Sequence, residues 1–420
     1  MRCAASVVAV IALAAVPPAA WAWRGRVVDA TTGGPVGGAV VTGGGVVATT
    51  DGSGAFQLPA ADGTIRARAV GYRRTELTPG AGAPEPLVVP LTPFRAKALY
   101  LSFFGIGDRR LREQALALVD ATELNAVVID VKADHGKVPY PSAVPLVAAV
   151  GAQGPTTIRD VRGLVAGLHE RGIYTIARIV VFKDLPLAAA RPELAVTTLA
   201  GSVWRDRERM AWTDPFRTEV VNYNVDIAVE AAENGFDEIQ FDYVRFPDAP
   251  GGLVFSRPST QQSRIAAIGG FLAEARRRLA PYDVFLSADV FGYVCWNLND
   301  TMIGQRIEDL APLVDYLSPM LYPSSFQFGI PGYRDPVSHP YEIVSLSLER
   351  AQQRTGLPAV RFRPWLQAFR DYAFDRRTFG GAEIRAEIAA AERFGAGGWM
   401  LWNPHNVYAR DGIGSDGVTP

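Results

Sequence analysis

Cysteine is scarce in this 420-residue chain, which contains only two, Cys3 and Cys295. Cys3 lies in a stretch that has the pattern of a cleaved leader, so the processed chain would keep Cys295 alone. A single cysteine excludes an internal disulfide. We therefore expect the fold to be stabilised by a large hydrophobic core, for which a hydrophobic fraction of 48% provides ample material.

Histidine is also sparse, and the four residues are far apart in the sequence. They are His135, His169, His339 and His405. No two of them stand at the spacing of a metal site, and Asp134-His135 is interpreted as a loop turn. The sequence lacks a phosphate-binding glycine loop and a Ser-His-Asp arrangement. We expect neither a metal nor another cofactor.

An excess of charge of one sign is missing as well. Lysine and arginine together number 42, aspartate and glutamate number 43, and the formal net charge is −1. Proteins that bind nucleic acids usually present a strongly basic surface to the phosphate backbone. The composition therefore argues against a nucleic-acid partner and leaves small molecules, polysaccharides and proteins as candidates.

Apolar runs long enough to span a bilayer are absent. The first 22 residues instead have the parts of a signal peptide, namely Arg2, the apolar run 7–16 and a small-x-small cleavage site at residues 20–22. We expect cleavage after Ala22 and export to the periplasm, the cell surface or the exterior, with no membrane span left. The alternative is a leader retained as an interfacial anchor.

Residues 23–93 differ in texture from the rest of the chain. Short runs rich in valine and threonine alternate with glycine-rich turns, and a helical pattern is nearly absent. Short strands separated by such turns are typical of a β-sandwich. We predict a small all-β sandwich, joined to the following domain by a hinge at Thr92-Pro93.

The sequence motifs of this segment resemble those of a known family. The matching motifs are Gly25-x-Val27, Pro35-Val36-x-Gly38-Ala39-x-Val41, Thr50-Asp51-x-x-Gly54-x-Phe56 and Gly71-Tyr72. Together they resemble the carboxypeptidase-regulatory-like, prealbumin-type sandwich, which implies an accessory domain without chemistry of its own. It would act as a folded spacer or as a docking domain toward the cell envelope.

Residues 96–410 show a regular alternation of strand and helix patterns. Apolar strand-length runs recur eight times, and segments with apolar residues at helical spacing separate most of them. This rhythm favours a parallel (β/α)8 TIM barrel over an open sheet. The predicted fold class is therefore α/β, a TIM barrel preceded by a small β-sandwich, with the eighth helix absent or replaced by the glycine-rich tail.

Polar and aromatic side chains follow nearly every predicted barrel strand. In TIM barrels the carboxyl ends of the strands carry the active site. The predicted substrate-binding residues are Asp130, Lys132, Arg178, Arg245, Tyr293, Trp296, Tyr322, Gln367, Trp402 and Asn403. Flat aromatic rings beside hydrogen-bonding groups are typical of sugar sites. For two further rings, Tyr243 and Trp365, closing the barrel top is an equally good interpretation.

A pair of carboxylates at neighbouring strand ends, Asp242 and Asp289, forms the predicted catalytic centre. Adjacent strands lie ~4.8 Å apart, so the two carboxyl groups could approach the ~5–5.5 Å separation of a retaining glycosidase. Asp130 competes for either role. Strand periodicity also predicts that Asp130 and Lys132 share one face. Lys132 and Arg245 are expected to donate hydrogen bonds near the carboxylates and to hold them ionised by favourable charge.

Four motifs in the barrel resemble a known family. They are Phe241-Asp242-Tyr243-Val244-Arg245-Phe246-Pro247, Ser287-Ala288-Asp289-Val290-Phe291-Gly292, Ser318-Pro319-Met320-Leu321-Tyr322-Pro323 and Gly398-Trp399-Met400-Leu401-Trp402-Asn403. They resemble a glycoside hydrolase family of barrels distantly related to the alpha-amylase group. That resemblance implies a nucleophile at Asp242 and an acid/base at Asp289, where glutamate is usual. The third acidic residue of the amylase arrangement has no clear match.

These observations together predict an exported glycoside hydrolase that acts on an oligo- or polysaccharide through two carboxylates and retains configuration. The alternative from a different class is a secreted carbohydrate-binding barrel without catalysis, which would keep the aromatic rim but would not need both Asp242 and Asp289.

Overall fold

A computed structural model of the chain describes residues 22–59, 63–80, 85–249 and 251–414. The predicted signal peptide lies outside these ranges except for Ala22, so it stays a prediction. Within them, no helix combines the length and the apolar character needed to cross a bilayer.

Residues 22–91 form two small sheets with a common core. The strands are β1 (Ala22–Asp29), β2 (Val40–Gly43), β3 (Val46–Thr49), β4 (Ala55–Pro59), β5 (Ile65–Arg68), β6 (Thr75–Leu77) and β7 (Leu87–Leu91). One sheet has the order β4-β1-β7 and the other the order β3-β2-β5-β6. Val27, Val41, Leu58, Ile65 and Val89 are fully buried in the core they share.

Eight parallel strands form a closed barrel, as the sequence predicted. They are β8 (Ala96–Leu101), β9 (Ala126–Lys132), β10 (Tyr174–Val180), β12 (Glu238–Asp242), β14 (Phe285–Phe291), β15 (Tyr316–Met320), β16 (Trp365–Gln367) and β17 (Gly398–Trp402). Their order around the barrel is β10-β12-β14-β15-β16-β17-β8-β9. Two-residue strands, β11 (Thr197–Thr198) and β13 (Leu253–Val254), pair with each other outside the barrel.

Helices occupy the segments between the barrel strands. They are α1 (Phe103–Gly107), α2 (Arg109–Ala121), α3 (Pro145–Ala149), α4 (Val161–Glu170), α5 (Leu185–Ala190), α6 (Thr218–Glu233), α7 (Gln261–Leu279), α8 (Ile307–Leu310), α9 (Pro340–Thr355) and α10 (Gly381–Phe394). In the described stretch 403–414 no helix follows β17, in agreement with the expected loss of the eighth helix.

Two strands differ from their predicted lengths. The first strand was expected to reach Phe104 but ends at Leu101, because Ser102 caps α1 by accepting a hydrogen bond from the Gly105 backbone N–H at 3.1 Å. The seventh strand was expected over residues 361–368 but is limited to Trp365–Gln367. Pro364, immediately before it, has no N–H to donate to a sheet.

The N-terminal sandwich closes the bottom of the barrel. Phe94 packs against Tyr174 inside the barrel with ring centroids 5.1 Å apart, and the Gly71 N–H donates to the Tyr316 hydroxyl at 3.0 Å. The predicted hinge is held in place, since the carbonyl of Thr92 accepts from the Arg73 N–H at 2.9 Å. The two domains are therefore docked onto each other through buried contacts.

Three aspartates precede three neighbouring barrel strands and meet arginines of the sandwich. Arg74 pairs with Asp237 at 2.9 Å, and Arg68 lies 3.0 Å from Asp315 and 3.5 Å from Asp283. Burial raises the pKa of Asp283 to about 7, although the Arg68 charge favours the ionised form. Both carboxylate oxygens of Asp283 are buried without a hydrogen-bond partner in the described structure.

Replacing Arg68 by alanine should lower the free energy of unfolding by about 3–5 kcal/mol, because it leaves two buried carboxylates without their cation. Arg66→Ala is the matched control. Arg66 pairs with Glu76 at the surface, where the two side chains are 45% and 60% exposed, and such pairs contribute about 0–1 kcal/mol. Urea denaturation measures both changes. Equal losses in the two variants would contradict a buried ionic contact at the barrel bottom.

Asp283 should make stability depend on pH. Its pKa is higher in the folded protein, about 7, than in an unfolded chain, about 3.9. The stabilisation is therefore complete below about pH 4 and is lost as the pH rises through 7. Asp283→Asn should flatten this part of the curve, and asparagine tolerates the positive φ of 55° at this position. Unfolding free energies that vary identically with pH in both proteins would refute this.

Candidate active site

The carboxyl ends of β12 and β14 bring Asp242 and Asp289 side by side. Phe241 pairs with Ala288 across the two strands, and both of these residues belong to the core between the barrel and its helices. Because side chains alternate between the two faces of a strand, the next residue on each strand points into the barrel. The two aspartates are therefore neighbours on the inner face, as the sequence predicted.

Both oxygens of Asp242 are held in place. Oδ2 accepts hydrogen bonds from Arg178 Nε at 2.9 Å and from Arg178 Nη2 at 2.6 Å, while Oδ1 accepts from the backbone N–H of Tyr243 at 2.6 Å. Tyr243 has a φ of 49°, a left-handed conformation that is uncommon for a residue with a large side chain and is often found at functional sites. The strand thus ends abruptly at a fixed, ionisable carboxylate.

Arg178, on β10, binds three carboxylates at once. Besides Asp242, its Nη1 donates to Asp130 Oδ1 at 2.7 Å and its Nη2 donates to Asp134 Oδ1 at 2.9 Å. The guanidinium is 1% exposed and lies over the ring of Trp402 at 5.0 Å. A planar fork of five donors can serve several carboxylates in this way, which a lysine cannot.

Asp289 occupies a drier environment than Asp242. Its Oδ1 accepts a hydrogen bond from the Trp365 indole Nε1 at 2.8 Å, whereas its Oδ2 is buried without a partner in the described structure. Burial raises the pKa of Asp289 well above its usual range, and the neighbouring Asp242 charge raises it further. The surroundings of Asp289 thus favour its protonated form more than those of an exposed aspartate would.

Asp130 has the second perturbed carboxyl of the site. Its Oδ2 accepts from the Tyr100 hydroxyl at 2.7 Å and from the Phe103 backbone N–H at 3.0 Å. Burial raises the pKa of Asp130 to about 6, against the opposing effect of Arg178. Asp242 and Asp130 thus flank the same guanidinium, and Asp289 lies beside Asp242 on the other strand.

A cavity of about 260 Å³ opens above Asp242. We call it the central cavity, and its lining includes Arg178, Asp242, Tyr243, Arg245, Tyr322, Trp365 and Trp402. A second cavity of about 340 Å³, the Phe104 cavity, adjoins it across Trp402 and is lined by Tyr100, Phe104, Asp130, Asp134 and His135 among others. Asp289, 1% exposed, lines neither of them.

Comparison with known families agrees with this geometry. Residues 98–408 match a family described as "Putative glycosyl hydrolase domain". The chain belongs to this family. No curated protein matches the chain. A relation of this glycosyl hydrolase domain to the alpha-amylase group, and the family of the N-terminal sandwich, stay predictions.

Three solved structures are similar to this chain, one of them in sequence over part of its length and two of them in fold. A hypothetical protein from Ruminiclostridium thermocellum is 40% identical over 46% of this chain and 97% of its own, with a TM-score of 0.42. The PgaB (BpsB) glycoside hydrolase domain from Bordetella bronchiseptica is 15% identical over 77% of this chain and 99% of its own, with a TM-score of 0.56. The catalytic domain of a beta-amylase from Paenibacillus polymyxa is 12% identical over 77% and 95%, with a TM-score of 0.50. The last two likenesses show the barrel fold.

The structure brings five further predicted residues of this glycosyl hydrolase domain to the two cavities. They are Asp130, Arg178, Arg245, Tyr322 and Trp402; Asn403 follows Trp402 in the chain but lines neither cavity. Trp402 stacks on Tyr100 with centroids 4.1 Å apart. Asn403 is turned away, because its side-chain amide donates to the carbonyls of Ala368 and Val407. Its role is to hold the loop after β17.

Lys132 does not lie at the site, which corrects the prediction that it shares a face with Asp130. A β-bulge after Asp130 shifts the register between β9 and β10, so the two side chains point to opposite faces. Lys132 Nζ lies 2.5 Å from Asp184 Oδ2 and donates to Asn224 Oδ1 at 2.8 Å on α6. The prediction that Arg245 contacts the carboxylates is also wrong; its guanidinium lies over the Trp212 and Tyr243 rings.

Three other predicted binding residues support the structure instead of lining the cavities. The Trp296 indole N–H donates to Ser347 Oγ of α9 at 2.9 Å. The Tyr293 hydroxyl donates to the Gly329 carbonyl at 3.2 Å. Gln367 is fully buried and ties Ser324 and Phe369 together. Tyr293 and Trp296 lie in or just after the short helical turn that follows β14, whereas Gln367 is the last residue of β16 and its side chain is engaged in these hydrogen bonds.

Tyr100, Trp365 and Asp134 were not among the predicted site residues. Tyr100 stands near the end of β8 at an inward position and binds Asp130, so the rule applied to the other strands could have found it. Trp365 had been given two interpretations, and its indole contacts Asp289. Asp134 is interpreted from the sequence as part of a loop turn; it does lie in a turn beyond the end of β9, and its carboxylate also reaches Arg178.

The described residues include no group of three or more histidine, cysteine, aspartate and glutamate side chains placed to hold a metal ion. The closest acidic group consists of Asp130, Asp134 and Asp242, and its centre is occupied by the Arg178 guanidinium. The side chains at the mouth therefore form an ion-paired cluster beside an aromatic cavity.

Lys132→Met should lower the free energy of unfolding by about 3–5 kcal/mol, because it leaves the fully buried Asp184 carboxylate without its cation. The double variant Lys132→Met/Asp184→Asn should recover much of this loss, because asparagine is neutral and can keep the cap that Asp184 forms with the Leu187 N–H. Denaturant titration of both proteins tests the assignment. If Lys132→Met is as stable as the parent protein, the assignment of Lys132 to a structural ion pair is wrong and Lys132 belongs to the active site.

Proposed function

We propose that this protein is an exported glycoside hydrolase that cleaves O-glycosidic bonds in an oligo- or polysaccharide with retention of configuration. The observation that carries the proposal is the position of Asp242. It is an ion-paired carboxylate on the floor of a cavity lined by Tyr322, Trp365 and Trp402, beside a second aspartate on the adjacent strand. Membership of the glycosyl hydrolase family supports hydrolase chemistry at a coarser level.

In this mechanism Asp242 is the nucleophile. Its salt bridge with Arg178 holds the carboxylate in place, and that carboxylate would attack the anomeric carbon of a sugar held against the aromatic rings. The bond to the leaving oxygen breaks as that oxygen receives a proton, and a covalent glycosyl ester forms on Asp242. Water then attacks the same carbon, the ester bond breaks to release the Asp242 carboxylate, and the proton that the water loses returns to the acid/base.

Asp289 is the proposed acid/base. Burial raises its pKa, which favours the protonated form that a general acid needs, and its Oδ2 has no competing partner in the described structure. Asp130 is the alternative. The rise of its pKa to about 6 suits a general acid, and it lines the Phe104 cavity directly, whereas Asp289 would need Trp365 or Tyr322 to move before a sugar could reach it.

The carbohydrate-binding barrel without catalysis remains the second candidate function. The burial of Asp289 favours it, because a carboxyl that is 1% exposed and outside both cavities has no direct path to a sugar oxygen. Export through the N-terminal leader and docking to the cell envelope through the sandwich belong to either function. They are supported by the sequence pattern of residues 1–22 and by the separate β-rich domain.

The test begins with a panel of polysaccharides and aryl glycosides, followed by Asp242→Ala and Asp289→Ala. Asp242→Ala should lose activity on every substrate. Asp289→Ala should lose about 10²–10⁴-fold on polymers but still form the glycosyl ester from aryl glycosides, and azide should then restore turnover as a glycosyl azide of retained configuration. Full activity in Asp242→Ala would remove the mechanism and favour the binding barrel.

The pH dependence separates the two acid/base candidates. A general acid must be protonated, so kcat/KM falls as the pH rises above its pKa. If Asp130 is the general acid, the alkaline limb of the kcat/KM profile should lie near pH 6. In Asp130→Asn this limb should disappear, along with most of the activity. If Asp289 is the general acid, whose pKa burial also raises, Asp130→Asn should keep the alkaline limb and the shape of the profile.

A further inference from the structure

A third cavity extends the site away from the barrel axis. It measures about 720 Å³ and shares Tyr243 and Arg245 with the central cavity. We call it the Trp204 cavity; its other lining residues include Lys183, Trp204, Arg205, Asp206, Arg207, Glu208, Trp212 and Asp248. Because the Phe104 cavity adjoins on the opposite side through Trp402, Asp242 lies in the middle of an open run of three cavities.

Arg245 stands at the junction between the central and the Trp204 cavities without an acidic partner. Its guanidinium lies 4.9 Å from the centre of the Trp212 ring and 5.2 Å from that of Tyr243. The one hydrogen bond it forms within the described residues is from Nη1 to the Phe246 carbonyl at 3.0 Å. Since a guanidinium carries five N–H donors, most of them remain available to the cavities.

The acidic side chains of the Trp204 cavity do not neutralise Arg245. Glu208 pairs with Lys183, and Asp206 is used within its own loop, where it accepts from the Trp212 indole N–H at 2.9 Å. Arg205 and Arg207 form no salt bridge in the described part of the chain, and both are exposed. Asp248 alone opposes these three arginines.

The opposite end of the run is less basic. Asp130, Asp134 and Lys137 line the Phe104 cavity, and the charge of Arg178 is shared among Asp130, Asp134 and Asp242. A substrate chain that crosses Asp242 thus meets more acidic than basic side chains on one side and several arginines on the other. Aromatic rings line both sides, so the difference between the two sides lies in charge.

We propose that the substrate is an acidic polysaccharide whose chain lies across all three cavities, with an acidic substituent of one sugar bound by Arg245. The substituent is a carboxylate or a sulfate, either of which a guanidinium binds through paired hydrogen bonds. Cleavage at Asp242 would then be internal to the chain, since sugars occupy cavities on both sides. This inference rests on the proposed function for the placement of a sugar chain over Asp242.

The test is affinity electrophoresis of the full chain carrying Asp242→Asn, so that binding is measured without turnover. The gels contain polygalacturonate, alginate or carrageenan, with fully methyl-esterified polygalacturonate as the matched neutral ligand. At least one acidic polymer should retard the protein more than the neutral ligand does. Adding Arg245→Met should raise the Kd roughly tenfold or more, the value of a charge-assisted hydrogen bond.

Arg110→Met is the matched control, because Arg110 is an exposed arginine of α2 that lines none of the three cavities; it should leave the Kd unchanged. Retardation by carrageenan alone assigns the substituent as a sulfate, and retardation by the uronates assigns it as a carboxylate. Equal retardation by the methyl ester, no retardation by any acidic polymer, or indifference to Arg245→Met would overturn the inference. Hydrolysis of a neutral polymer would overturn the inference of an acidic substrate but leave the proposed hydrolase function intact. Arg245-dependent binding without hydrolysis would support the inference and contradict the proposed function.

Discussion

The buried guanidinium of Arg178 organises the mouth of the barrel. Three aspartates from two strands and a loop converge there, and without a cation between them their mutual repulsion would oppose burial. Arg178 fixes the position of the Asp242 carboxylate with two hydrogen bonds. Asp289 makes no hydrogen bond to the arginine within the described residues, and burial raises its pKa. The two neighbouring aspartates thus differ in their surroundings, because only one of them contacts the arginine.

Buried carboxylates at both ends of the barrel are compensated by arginines, which come from different parts of the chain at the two ends. At the mouth, the carboxylates are compensated from inside the barrel by Arg178. At the bottom, Asp237 and Asp315 are compensated by Arg74 and Arg68 of the sandwich. The sandwich also supplies the aromatic and backbone contacts that cover the lower barrel core. Its position therefore has a structural consequence for the barrel, whether or not it also docks the protein to another surface.

The aromatic residues of the mouth illustrate how strand ends divide into two groups. Trp365 and Trp402 are still within strands, so their rings point along the inward direction set by the pleat. Tyr293 and Trp296 follow β14 in a short helical turn, which rotates them toward Gly329 and α9. Beyond a strand end the period of two no longer predicts direction: Tyr293, two residues after β14, lines none of the cavities, whereas Tyr322, two residues after β15, lines the central cavity.

The sequence by itself determined the barrel, its eight strands, the β-rich N-terminal segment and the pairing of Asp242 with Asp289. All of these follow from hydrophobic periodicity and from the rule that parallel strands end at one rim. Tertiary structure decided the rest. The bulge in β9 separates Lys132 from Asp130, the turn after β9 brings Asp134 to Arg178, and the ion pairs between sandwich and barrel join residues more than 150 positions apart. Neither a one-residue register shift nor a contact between distant segments can be predicted from hydrophobic periodicity, because each depends on how separate segments pack against one another in the folded chain.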